Sequence, residues 1–209
     1  MKQILICDDH PSIRKGIKLI LESEFDGAEV SEASNASEVL KKINEKTWDI
    51  LILDVDMPGR NGLEVLKQLK DDGVKTPVLV FSMHPEELIA IRAIKLGAAG
   101  YLSKDTADDE LIKAINHIML GKKYITASLA EQLATQIENP SNKAPHELLS
   151  DREYQTLLLI AKGKTISKIA EELSLGVPTI STYRSRILEK TGMKTSAELT
   201  TYAIRNNLV

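Results

Sequence analysis

The chain has 209 residues, 43% of them apolar and only 4% aromatic, enough to bury a core in one or two domains. No run approaches the roughly 18 apolar residues of a membrane span, the opening Met1-Lys2-Gln3-Ile4-Leu5-Ile6 lacks a signal-peptide core and cleavage site, and the single cysteine, Cys7, excludes an internal disulfide, so a soluble cytoplasmic protein without membrane partners is expected. Charge is uneven: 17 Lys and Arg against 21 Asp and Glu over 1–125 (net −4), 1 against 3 over 126–147 (net −2), and 9 against 6 over 148–209 (net +3), which points to two domains with different partners, the basic tail meeting nucleic acid.

In chain order, Gln3 to Cys7 reads as a short apolar strand, followed at once by Asp8-Asp9. Pro11 starts a helical pattern with Ile13, Ile17, Ile20 and Leu21 on one face. A second strand is expected over Ala28 to Ala33 and a helix over Ala36 to Asn44. Ile50-Leu51-Ile52-Leu53 is a branched apolar run ending in Asp54-Val55-Asp56-Met57-Pro58-Gly59, a buried strand stopped by a turn. A helix over Leu63 to Leu69, a strand over Pro77 to Ser82 and a helix over Glu86 to Leu96 follow. Gly97 to Gly100 is a small-residue turn, without the Lys-Ser/Thr continuation of a phosphate loop, before a short strand at Tyr101-Leu102 that ends at Ser103-Lys104. Asp108 to Leu120 closes the series, its acids Asp108, Asp109 and Glu110 placed where the helix dipole favours them. Strands alternating with helices specify an α/β, doubly wound parallel sheet of five strands.

Ser128 to Glu138 keeps helical spacing, and Asn139 to Pro145 reads as a linker that lets two domains change relative position. Beyond it Ser150 with Glu153 forms a capping box, Gly163 ends that helix, Thr165 caps a second, and Ser174-Leu175-Gly176 turns into a third over Val177 to Lys190, which Gly192 ends. Ser196 is expected to cap a last helix carrying Leu199, Tyr202, Ala203 and Ile204. Four short helices with a tight turn between the second and third make a small all-α helix-turn-helix domain.

Four strand ends carry polar groups: Asp8-Asp9, Asp54, Ser82 and Lys104. In a parallel sheet they share one edge, where open α/β folds bind ligands. Clustered carboxylates raise each other's pKa unless a cation sits among them. Mg²⁺ suits a shallow, partly hydrated oxygen site, with the Asp56 backbone carbonyl as a further ligand. Carboxylate, metal, Lys and hydroxyl together suit a phosphoryl group on an Asp oxygen. His10 is expected in the exposed turn before Pro11, His84 as a solvated loop residue near the pocket mouth, and Trp48 in packing.

These motifs resemble the receiver domain of two-component response regulators. The resemblance implies that Asp54 accepts phosphate from a sensor histidine kinase, that Asp9 and Asp54 bind Mg²⁺ with Asp8 assisting, that Lys104 contacts the phosphoryl group, and that Ser82 and Tyr101 form the switch pair. Haloacid-dehalogenase-like phosphatases share an Asp-x-Asp after an apolar strand. Their further metal acids follow the Lys, however, whereas here the matching acidic pair opens the chain, and no cap insertion is visible.

At 100° per residue, the third helix of the second domain puts Ile180, Ile187 and Thr191 on one face and Thr182, Ser185 and Glu189, flanked by Ser181 and Arg186, on the other. That polar face fits either a major groove or ordinary solvent. Residues 149–209 are similar to the LuxR-type helix-turn-helix of NarL/FixJ response regulators through Leu149-Ser150-x-Arg152-Glu153, Gly163-Lys164-Thr165, Thr179-Ile180-Ser181-Thr182-Tyr183 and Lys190-x-Gly192, with a BvgA/EvgA-like segment at Thr179 to Arg186. Thr191, Pro178 and Ser167 depart from the family pattern. The resemblance implies a receiver at 1–122, a partly helical linker at 123–146 and a DNA-binding domain at 147–209. It also implies a transcription regulator rather than an enzyme, dimerising on phosphorylation, with double-stranded DNA and RNA polymerase as partners. Ser181, Thr182 and Ser185 are expected to face bases, Thr165, Lys168, Arg184, Arg186 and Lys190 to contact phosphates, and Thr179 to complete the DNA-binding set. A constitutive regulator that is never phosphorylated is the remaining alternative.

Overall fold

The computed structural model describes the chain except residues 85, 107, 139–143 and 207, and except the side chains of 87, 88 and 136–138. It divides into two compact units, 1–135 and 136–209. Residues 139–143 of the expected linker lie outside the described residues.

The first unit alternates β1 (Gln3–Cys7), α1 (Pro11–Glu24), β2 (Glu29–Ala33), α2 (Ala36–Lys42), β3 (Ile50–Leu53), α3 (Gly62–Asp71), β4 (Val78–Ser82), α4 (Glu86–Lys95), β5 (Gly100–Ser103) and α5 (Asp108–Met119), then α6 (Ala127–Glu138). The five strands form one sheet in the order β2-β1-β3-β4-β5, every pairing parallel, with Leu5 beside Leu51, Leu51 beside Val78 and Val80 beside Tyr101. This is the doubly wound sheet expected from the sequence. The Ile-Leu-Ile-Leu run of β3 is buried throughout because helices cover both faces of a parallel sheet. One face packs Ile4, Ile6, Ile50, Ile52, Leu79 and Phe81 against Ile17 and Leu21 of α1 and Leu111 and Ile115 of α5. Cys7 and Trp48 are buried, as expected, and the Trp48 indole N–H donates to the Lys42 carbonyl (2.9 Å). The helix expected to reach Asn44 stops at Lys42, and β5 is longer than its Tyr101-Leu102 core. After α5 the chain returns along the edge of β5. Tyr124 N–H donates to the Ala99 carbonyl (2.8 Å), and a Cβ on Gly100 would lie 2.8 Å from the Tyr124 carbonyl oxygen, so the crossing requires glycine. On α6, Leu129 is fully buried.

The second unit opens with a 3₁₀ turn (Pro145–Leu148), then α7 (Asp151–Ala161), α8 (Ile166–Glu172), α9 (Val177–Thr191) and α10 (Ser196–Arg205). The Ser150–Glu153 capping box and the Thr165 cap are present. One expectation is corrected: Thr195, not Ser196, caps α10, its hydroxyl accepting from Glu198 N–H (3.2 Å). Ser196 is the first helical residue, and its Oγ instead accepts from Arg184 Nε (2.8 Å). Leu159, Ile160, Ile169, Ala170, Leu173 and Ile180 form one buried cluster, and Ile187 on α9 is fully buried. The α8–α9 turn passes through Ser174 at φ +52°, a left-handed residue in the tight corner.

Candidate functional site

β1 and β3 are neighbours although β2 lies between them in the chain, so the crevice beyond their carboxyl ends is the topological switch point of the sheet. Asp8, Asp9 and Asp54 follow those two strands. Asp54 N–H donates to the Cys7 carbonyl (2.8 Å), carrying the ladder one residue past β3. Asp8 and Asp54 are each 2% exposed. Ligand atoms of Asp8, Asp9, His10 and Asp54 all lie within 4.8 Å of one another.

Lys104, just past β5, reaches into this cluster. Its Nζ lies 2.6 Å from Asp8 Oδ2 and 2.9 Å from Asp54 Oδ2, and the side chain is buried. Burial works against its ammonium, but Asp54 and Asp8 outweigh that and hold its pKa above the usual lysine value. Burial pushes the Asp54 carboxyl up to about 6, with Lys104 pulling it down and Asp8 pushing it further up. Asp8 Oδ1 accepts from His10 N–H (2.7 Å) and Asp54 Oδ1 from Asp56 N–H (3.3 Å). Asp8 Oδ2, Asp9 Oδ1 and Asp54 Oδ2 have only ion-pair neighbours among the described residues: Lys104 for the first and third, His10 Nδ1 at 2.7 Å for the second. Three converging carboxylates served by one buried ammonium leave hard oxygen donors facing a common point, a donor set that fits a divalent cation of the Mg²⁺ kind.

The switch candidates meet at the same edge. Ser82 is fully buried at the end of β4, and Lys104 N–H donates to its carbonyl (2.8 Å). The Ser82 hydroxyl accepts from His84 N–H (3.2 Å). Tyr101 is 1% exposed; its hydroxyl donates to the His84 carbonyl (2.6 Å) and also hydrogen-bonds Ser82, and burial raises its pKa.

Two features were misread or missed in the sequence. His84 is not a solvated loop residue: its ring is mostly buried, with Nε2 3.0 Å from Asp56 Oδ1, so it bridges the loops after β3 and β4. Gly62, the first residue of α3, passes so close to Asp54 that a Cβ there would lie 2.0 Å from the Asp54 carbonyl oxygen. His10 does sit in an exposed turn, and also pairs with Asp9. A second link leaves the site region: Glu86, in the first turn of α4, accepts from the Thr126 hydroxyl, and the same Oγ1 accepts from Leu129 N–H (3.1 Å) at the start of α6.

In the second unit, Ser181, Thr182, Ser185 and Arg186 are exposed along one side of α9. The Thr182 and Ser185 hydroxyls donate back to the Pro178 and Ser181 carbonyls (3.0 and 3.1 Å), leaving their oxygens free to accept. Lys168 is exposed and Thr179 half-buried. Arg184 is half-buried against Ser196, and Lys190 Nζ lies 2.6 Å from Glu153 Oε2.

Residues 4–116 match the response regulator receiver domain, and 147–203 match the bacterial regulatory proteins of the luxR family. Over its whole length the chain is 35% identical to response regulator UvrY of Escherichia coli strain K12, covering 96% of that protein, and 35% identical to response regulator GacA of Pseudomonas viridiflava, covering 98%. Among solved structures it resembles RcsB of Salmonella enterica serovar Typhimurium bound to promoter P1flhDC with the phosphomimetic BeF₃⁻, at 26% identity and a TM-score of 0.60, over 96% of this chain and 97% of that one. A switch-point acid cluster with its lysine, followed by a helix-turn-helix unit, is thus the architecture of a two-component response regulator. The chain belongs to the NarL/FixJ family of these regulators, a receiver joined to a LuxR-type DNA-binding domain that controls transcription, with UvrY and GacA among its relatives. Among the described residues no helix is long and apolar enough to cross a membrane.

Proposed function

We propose that this chain is cytoplasmic, that Asp54 takes a phosphoryl group from the phosphohistidine of a sensor histidine kinase, and that this phosphorylation switches dimerisation and sequence-specific binding to double-stranded DNA. The observation that carries this reading is Asp54 itself, buried at the switch point with Oδ2 2.9 Å from Lys104 Nζ and beside Asp8 and Asp9. In the transfer an Asp54 oxygen attacks phosphorus, the N–P bond of the donor breaks as the O–P bond forms, and the donor imidazole leaves with its electron pair. Asp8, Asp9, Asp54 and the Asp56 backbone carbonyl would hold Mg²⁺. When bound, the ion neutralises charge gathering on the phosphoryl oxygens. Lys104 supplies a further positive charge to those oxygens, and the Ser82 hydroxyl donates to one of them, with Tyr101 packed behind. Hydrolysis of the same acyl phosphate returns Asp54 to its starting state, and the chain turns over no other substrate.

The receiver spans 1–122, the linker 123–146 and the DNA-binding domain 147–209 in this reading. Ser181, Thr182 and Ser185 face bases, while Thr165, Lys168, Thr179, Arg184 and Arg186 serve the phosphate backbone. One small domain has a modest basic footprint, so a dimer on two half-sites is required for tight binding. RcsB, 26% identical, has been solved as dimers bound to DNA. RNA polymerase is the further partner through which bound protein acts. The test is intact mass after incubation with acetyl phosphate and Mg²⁺. A phosphoryl adduct is expected on the wild type and absent both from Asp54→Asn and without the metal. An adduct that survives Asp54→Asn would refute the assignment.

A further inference from the structure

We infer that Lys190 is a positioning residue for DNA recognition, acting through Glu153 on the setting of α9, and not a phosphate contact. This rests on the DNA-binding reading above. The Glu153 side chain is only 3% exposed, and its Oε2 accepts from both Ser150 N–H (2.8 Å) and Lys190 Nζ (2.6 Å). A buried carboxylate needs a counter-charge, and removing the partner leaves it uncompensated. If Lys190 swung to a phosphate, it would strand that carboxylate at the first turn of α7. Arg186, one turn earlier on α9, is exposed and free to swing without such a loss.

The geometry explains what the pair does. Glu153 is fixed to α7 by the Ser150 capping box, so Lys190 ties the last turn of α9 to the first turn of α7. Arg184 makes the other tie, from Nε to Ser196 Oγ at the start of α10. At about 100° per residue, Arg184 and Lys190 project on opposite flanks of the Ser181–Thr182–Ser185 face. Two ties on opposite flanks fix the rotation of α9 about its own axis. That rotation decides which hydroxyls meet base edges, whereas phosphate contacts tolerate small turns of the helix.

The test begins with a duplex selected by the full-length wild type from a random-sequence pool. Affinity for that duplex and for a scrambled duplex is then measured against salt for wild type, Lys190→Gln, Glu153→Gln, their double variant and Arg186→Ala. The expected result is a loss of about tenfold on the selected duplex in either single variant, little change on the scrambled duplex, an unchanged salt slope, and no further loss in the double variant. Arg186→Ala should instead weaken both duplexes and lower the salt slope by about 0.9. A lower folded fraction scales both affinities alike, so the selected-to-scrambled ratio reports positioning even if Glu153→Gln destabilises the unit, and Lys190→Gln alters only a half-exposed side chain. The inference is overturned if Lys190→Gln lowers the salt slope and weakens both duplexes alike, or if the ratio holds at its wild-type value. A pool that yields no enriched sequence would remove the DNA-binding reading itself, and the inference with it.

Discussion

Gly62 is the residue on which the geometry of Asp54 depends most directly. A methyl group there would occupy space 2.0 Å from the Asp54 carbonyl oxygen, and that obstacle is backbone, which cannot rotate away. Gly62→Ala should therefore destabilise the receiver by about 1–3 kcal/mol, as overpacking does, and should slow Asp54 phosphorylation by acetyl phosphate. Urea unfolding and intact mass check this, and wild-type values for both would contradict it. Asp8, Asp9, Asp54, Ser82 and Lys104 were legible in the sequence because each follows an apolar run, and parallel strands place such ends along one edge. Gly62 was not legible, because its requirement comes from the path by which α3 enters over β3. Nor was His84, whose partner Asp56 lies 28 residues away and meets it only through the turns of two loops.

The capping signals carried much of the element boundaries. Ser150, Glu153 and Thr165 cap where the sequence placed them, while Thr195 displaced Ser196 because Thr195 Oγ1 accepts from Glu198 N–H. The second role of Glu153 was hidden, since a capping box shows in four adjacent residues and the Lys190 pair spans 37. Burial alone would raise the Glu153 carboxyl, but hydrogen bonds from Lys190 and Ser150 outweigh it and hold the pKa below its ordinary 4.5. A carboxylate depressed in the folded state contributes stability that is full above its unfolded pKa and is lost as pH falls through its folded pKa. Protection of the Leu157 and Ile160 amides against hydrogen exchange should fall as pH drops below 4.5 once intrinsic exchange is corrected for, and Glu153→Gln should flatten that dependence. The same acid sensitivity in Glu153→Gln would assign it to other groups.

At the scale of the whole molecule, the first 125 residues are acidic and the last 62 basic, a separation that suits the proposed division of labour between a phosphoryl donor and a polyanion. Each unit was readable by itself: a period of alternating strands and helices for the first, four short helices, three of them with side-chain caps, for the second. The central claim is that charge added at Asp54 changes what the second unit does. It is tested most directly by measuring full-length affinity for the selected duplex, together with mass in solution, with and without BeF₃⁻ and Mg²⁺, in wild type and Asp54→Asn. Tighter binding and a shift to dimer are expected in the wild type alone. Equal affinity and equal mass in the wild type with and without BeF₃⁻ would contradict it.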